Sequence, residues 1–149
     1  MKDMNGKVAV VTGAGSGIGR ALAQNLAARG AKLAICDMDA AGLSETEKSV
    51  AVPCLSRTVD AAQRDAVYSF AEAVIAEYGE VHMVFNNAGV ALSETVEDMT
   101  YEDFQWVMDI DFWGVVYGTK AFLPHLKKQQ EACVVNISSV FGLISVPTQ

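Results

Sequence analysis

The stretch Lys7-Val8-Ala9-Val10-Val11-Thr12, running directly into Gly13-Ala14-Gly15-Ser16-Gly17-Ile18-Gly19, decides the fold. An uninterrupted β-branched run reads as a strand buried on both faces. Ile18–Arg29, rich in Ala and Leu and closed by Gly30, reads as the helix that follows. Between them four glycines permit positive φ and let a backbone approach a ligand closely. The start of the helix offers free N–H groups and about half a positive charge, a ready site for a phosphate. Tight turns between strand and helix also use glycine, but four at one junction favour the phosphate reading.

The same alternation repeats along the rest of the chain. Lys32–Cys36, Val52–Thr58, Val81–Asn86 and Cys133–Ser138 are further strand candidates, and the segments between strands read as helical. In Ala62–Tyr78, the residues Val67, Phe70, Ala71, Val74, Ile75 and Tyr78 form one apolar stripe, stopped by Gly79. Helices are also expected over about Tyr101–Asp109 and Phe112–Lys128, the latter kinked or ended early by Pro124. Alternating βα units predict an α/β fold, a doubly wound parallel sheet of Rossmann type with strand order 3-2-1-4-5, in one domain over 1–149.

Composition narrows the partners. A net charge of −7 with no Lys/Arg cluster argues against nucleic acid. No apolar run reaches the roughly 18 residues of a membrane span, and the first residues lack a signal core. Cys36, Cys54 and Cys133 lie in or beside strands without metal-ligand spacing, so they read as reduced, buried hydrophobes in a cytoplasmic protein with no metal site.

Asp37 ends the second strand, eighteen residues beyond Gly19. That is close to the spacing at which a dinucleotide fold places its ribose acid. A carboxylate accepting both ribose hydroxyls contributes about 1.5–3 kcal/mol per bond and repels a 2′-phosphate. Met38 follows, Ser16 is uncharged, and no Arg or Lys lies at that turn, so NAD is favoured over NADP. Asp37 could also simply start the turn toward Asp39. Asp60, before Ala61, reads equally as an adenine contact and as a helix cap with Gln63 completing a capping box. Asn86-Asn87-Ala88-Gly89 closes the fourth strand at the carboxyl edge, where open α/β sheets bind ligands.

Thr12–Gly19, Asp37, Asp60-Ala61, Asn86–Gly89 and Asn136-Ile137-Ser138-Ser139, taken in order, resemble a classical short-chain dehydrogenase/reductase along essentially the whole chain. The resemblance implies hydride transfer between a nicotinamide cofactor and a small alcohol or carbonyl substrate, in a homodimer or homotetramer. It assigns Thr12, Gly13, Gly15, Ser16, Gly17, Ile18, Gly19, Asp37, Asp60, Ala61, Asn87, Ala88 and Gly89 to the cofactor. It also implies that the loop after Asn86–Gly89 seats the nicotinamide ribose, and that the asparagine pair ties the central strands together. Ser139 takes the role of hydrogen-bonding the substrate oxygen, with Ser138 as second choice.

Two positions depart from the family pattern. Asp111 stands where the family has its catalytic asparagine, which anchors a water in the proton relay; a carboxylate there is expected to weaken or retune the relay. The family's Tyr-x-x-x-Lys does not occur: Tyr68, Tyr78, Tyr101 and Tyr117 are followed four residues later by Glu72, His82, Gln105 and Ala121. His82 and His125 are not credible substitutes. The expectation is therefore the amino-terminal portion of a longer enzyme, which binds cofactor better than it catalyses. It would lack the family's later strands and helices, leaving strand five an exposed apolar edge. A non-catalytic dinucleotide-binding module, or pseudoenzyme, is the alternative. An S-adenosylmethionine methyltransferase shares the glycine loop and the strand-two acid, but Asn86–Gly89 and Asn136–Ser139 count against it.

Overall fold

A computed structural model describes residues 3–145, 147 and 148. Five parallel strands lie in the order β3-β2-β1-β4-β5. They are β1 (Val8–Thr12), β2 (Lys32–Asp37), β3 (Cys54–Thr58), β4 (Met83–Asn86) and β5 (Cys133–Asn136). The helices are α1 (Gly17–Ala28), α2 (Ala40–Ser49), α3 (Arg64–Tyr78), α4 (Tyr101–Met108) and α5 (Gly114–Leu126). The expected order is therefore observed. β3, β4 and β5 are each shorter than their apolar runs.

Every residue of β1 is buried because both faces of the sheet are covered. Val8 and Val10 turn toward Val67, Phe70, Ala71 and Val74 of α3 and Ala121, Phe122 and Leu126 of α5. Ala9 and Val11 turn the other way, onto Ala23 and Leu26 of α1 and Leu43 of α2. On the first face Phe70 and Phe122 meet edge to face, ring centroids 6.3 Å apart. The stripe read from α3 is thus its buried face. Tyr78 closes that stripe and its hydroxyl donates to the Leu33 carbonyl at 2.9 Å. Gly79, at φ 73°, ends the helix in the left-handed region that a side chain would disfavour.

Three boundaries differ from expectation. Asp60 and Gln63 do not form a capping box. The Asp60 carboxylate accepts from Ala62 N at 2.9 Å, making its own turn, and α3 starts later with Gln63 as a cap that makes no side-chain bond. The helices expected on either side of residue 110 are one continuous helical run, joined by a π-turn over Asp109–Trp113. Such a turn accommodates an extra residue and is often found at a functional site. Pro124 sits in the last turn of α5, which ends at Leu126 rather than Lys128.

All three cysteines are free. Burial raises the Cys36 thiol far above its ordinary value, with Asp37 adding to it; burial, helped by Glu47, pushes Cys54 up to about 12. Neither is a thiolate near neutrality, which fits packing roles. His82 is 3% exposed at the amino edge of the sheet, and its Nδ1 accepts from Val8 N at 3.2 Å. Desolvation lowers its pKa, so it is a neutral acceptor distant from the carboxyl edge. Among the described residues no group of three or more His, Cys, Asp or Glu could hold a metal ion, and no helix is long and apolar enough to cross a membrane.

Candidate functional site at the carboxyl edge of the sheet

The parallel order places the ends of β1, β2, β4 and β5 side by side, and the expected site residues follow those ends. Ala14 N donates to Cys36 O at 3.0 Å, so the glycine turn leaves β1 already leaning on β2. Gly13 (φ 65°) and Gly17 (φ 49°) hold backbone angles that favour glycine. Gly13 and Gly19 also answer a need for space. A Cβ on Gly13 would lie 2.7 Å from the Ala88 Cα, and one on Gly19 would collide with the Gly13 carbonyl oxygen.

The loop after β4 is fastened to the end of β1 by one asparagine and one threonine. Asn87 Nδ2 donates to the carbonyls of Thr12 (2.9 Å) and Gly13 (3.1 Å). Thr12 Oγ1 accepts from the backbone N–H groups of Asn87 and Ala88, both at 3.0 Å. Asn86 works in the opposite direction. Its Nδ2 donates to Asn136 Oδ1 at 2.8 Å and to Thr119 Oγ1 at 3.1 Å, joining β4 to β5 and α5. The pair therefore ties the central strands, as the resemblance implied.

Asp37 is oriented before any ligand arrives. Its Oδ2 accepts from Gly15 N at 2.7 Å and its Oδ1 from Asp39 N at 2.9 Å. Asp37 thus shapes the turn to Asp39 and also holds the glycine loop, with its remaining lone pairs unused by these two bonds. Met38, 67% exposed, follows without a charge. A cavity of about 160 Å³ adjoins this acid and is bounded also by Asp60, Ala61 and Val90.

A second cavity, of about 460 Å³, is bounded by Asn87–Leu92, Asp111, Ser138 and Ser139. The two share Ala88, Gly89 and Val90, so a single elongated ligand could lie across both. Asp111, in the π-turn, accepts from Val90 N at 2.9 Å through Oδ1. Ser139 caps the short 3-10 turn Val140–Gly142, its Oγ accepting from Phe141 N at 3.2 Å.

The residues at the glycine turn fit an anionic dinucleotide. Ser16, the N-cap of α1, makes no side-chain capping bond, so the first amides of the helix stay available. A Cβ on Gly17 would meet nothing within 4 Å, which marks open space in front of those amides. Sequence reasoning missed Arg20, whose guanidinium reaches back from α1 to the carbonyls of Gly15 and Gly42. It also missed Thr46, fully buried in α2, which accepts from Arg20 Nε at 3.0 Å. No local spacing signals the grip on α2, because the Arg20–Gly42 and Arg20–Thr46 contacts join residues 22 and 26 positions apart.

Known proteins resemble this arrangement. Putative oxidoreductase SadH of Mycobacterium tuberculosis is 51% identical over 152 residues, which cover all of this chain and 55% of that protein. A short chain dehydrogenase/reductase from Burkholderia phymatum, solved in complex with NAD, superposes with a TM-score of 0.96 at 37% identity, covering 99% of this chain and 54% of that one. An NAD⁺-bound xylitol dehydrogenase gives a TM-score of 0.93 at 34% identity, over 99% and 58% of the two chains. The chain thus spans about half the length of the relatives it matches. The model of the short chain dehydrogenases matches residues 7–149. With the sheet order, the glycine turn and the fastened asparagine loop in place, that match shows that the chain belongs to the short chain dehydrogenase family.

Proposed function

We propose that these residues form the cofactor-binding domain of an NAD-dependent oxidoreductase that moves hydride between nicotinamide and an alcohol or carbonyl carbon. The observation that carries this reading is Asp37, held by Gly15 N and Asp39 N with lone pairs to spare. It can accept from ribose hydroxyls, and its charge opposes a 2′-phosphate. The NAD in the Burkholderia and xylitol dehydrogenase structures supports the same assignment. Thr12, Gly13, Gly15, Ser16, Gly17, Ile18 and Gly19 would surround the pyrophosphate, Asp60 and Ala61 would meet the adenine, and Asn87, Ala88 and Gly89 would carry the chain of the cofactor into the larger cavity.

When bound, the cofactor would supply the hydride acceptor for an alcohol as NAD or the hydride donor for a carbonyl as NADH. Ser139 would hydrogen-bond the substrate oxygen in that cavity. Hydride transfer to a carbonyl also requires a proton for its oxygen, and no Tyr-x-x-x-Lys occurs in these 149 residues. Asp111 is a carboxylate at the relay position, able to accept a hydrogen bond but not to donate one when ionised. Placed with a Tyr-x-x-x-Lys in the whole enzyme, Asp111→Asn is expected to raise kcat several-fold at unchanged cofactor KM; equal kcat would show that Asp111 has no part in the relay. Asp111, in place of an asparagine, also supports a second reading, a dinucleotide-binding module without catalysis. Free cysteines fit the cytoplasm, and a homodimer or homotetramer fits the family.

Binding is tested by titrating the protein with NADH and following nicotinamide fluorescence. A saturable change is expected; no change at millimolar NADH would overturn the reading.

A further inference from the structure

We infer that Arg20 is a positioning residue that aims the Ser16 N–H at the cofactor pyrophosphate, without touching the phosphate itself. The inference rests on the dinucleotide reading above. Two consecutive peptides of the glycine turn are gripped from opposite sides. In the Ala14–Gly15 peptide, the N–H donates to Asp37 Oδ2 at 2.7 Å, and the carbonyl accepts from Thr46 Oγ1 at 2.8 Å. In the Gly15–Ser16 peptide, the carbonyl accepts from Arg20 Nη2. A trans peptide is planar, so fixing that carbonyl fixes the Ser16 N–H in the opposite direction. The Ser16 N–H has no acceptor among the described residues, and the space before Gly17 is open.

Arg20 can do this because its own geometry is fixed. Nε donates to Thr46 Oγ1 at 3.0 Å, and Nη2 also reaches Gly42 O at 3.2 Å and Glu45 Oε2 at 3.0 Å. Thr46 is fully buried, and a Cβ on Gly42 would stand 2.6 Å from Gly15 O, so α2 packs directly against the turn. The planar fork is needed: a lysine carries one point charge and cannot hold Thr46 and Gly15 together. Glu45 is 68% exposed in its side chain and adds little.

The test compares NAD, ADP and adenosine binding to the unmodified protein and to Arg20→Met, Arg20→Lys, Thr46→Val and Glu45→Ala. Arg20→Met and Thr46→Val are expected to weaken NAD and ADP by about tenfold while leaving adenosine unchanged, since adenosine has no phosphate for Ser16 to meet. Arg20→Lys is expected to recover only part of the loss, and Glu45→Ala to lose nothing. Equal loss of all three ligands, no loss of any, or full recovery in Arg20→Lys would overturn the inference. Should Arg20→Met not fold, Thr46→Val alone decides by the same ADP-to-adenosine comparison. Failure of the unmodified protein to bind NAD or ADP would instead overturn the dinucleotide reading, and this inference with it.

Discussion

Gly19→Ala is expected to remove cofactor binding altogether and to destabilise the protein by at least the upper end of about 1–3 kcal/mol, the usual cost of forcing extra atoms into a packed site. The added methyl would collide with the Gly13 carbonyl oxygen and stand 2.7 Å from Asn87 Nδ2. Neither neighbour can yield alone. The Gly13 carbonyl is held by Asn87, and Asn87 is held by Thr12. Relief must therefore move the phosphate turn and the loop after β4 together, which separates the two halves of the candidate site. Gly17→Ala provides the contrast. Its methyl would meet nothing within 4 Å, and only the positive φ of 49° opposes it, at about 1–2 kcal/mol. Denaturant unfolding and an NADH titration on both variants check the order. A Gly19→Ala protein as stable as the original, with intact NADH binding, would show that the turn is looser than its contacts indicate.

Asp37→Ala is expected to weaken NAD by about a hundredfold, from two hydrogen bonds to a charged acceptor at about 1.5–3 kcal/mol each, less what water recovers. NADP should respond differently. Removing the carboxylate removes its repulsion of a 2′-phosphate, so NADP affinity is expected to hold steady or rise. The variant also frees Gly15 N and Asp39 N, which an added phosphate can use. Isothermal titration with both dinucleotides separates the two roles of this side chain. Equal losses for NAD and NADP would mean that Asp37 shapes the turn and contacts neither ribose.

The central place of β1 and β2 could be read from the sequence because burial on both faces leaves a mark in it. Val8–Val11 and Leu33–Cys36 have no polar residue to place outward, so they must be central, and both pack on two layers. The glycine turn was legible for the same kind of reason: a backbone that must approach another backbone can carry no side chain. The start of α3 was not, since Asp60 and Gln63 have the right types and spacing for a capping box. Only the extra turn built on Ala62 N shows that Asp60 is used earlier. The π-turn through Asp109–Trp113 was also hidden, because an inserted residue in a helix keeps the local composition unchanged. Arg20 was missed for a further reason. An arginine one turn into a helix reads as solvated unless the fold brings α2 against it. Asp111 could be singled out by type, and the structure adds its bond to Val90 N, which links the π-turn to the loop after β4.

If Asp37 and the glycine turn take up NAD as proposed, the choice between NAD and NADP shows it. The most direct measurement is the pair of dissociation constants for NAD and NADP on the unmodified protein, under one buffer and salt condition. NAD is expected to bind at least about tenfold more tightly, as one charge-assisted hydrogen bond to the ribose would give. NADP binding as tightly as NAD, or more tightly, would contradict it.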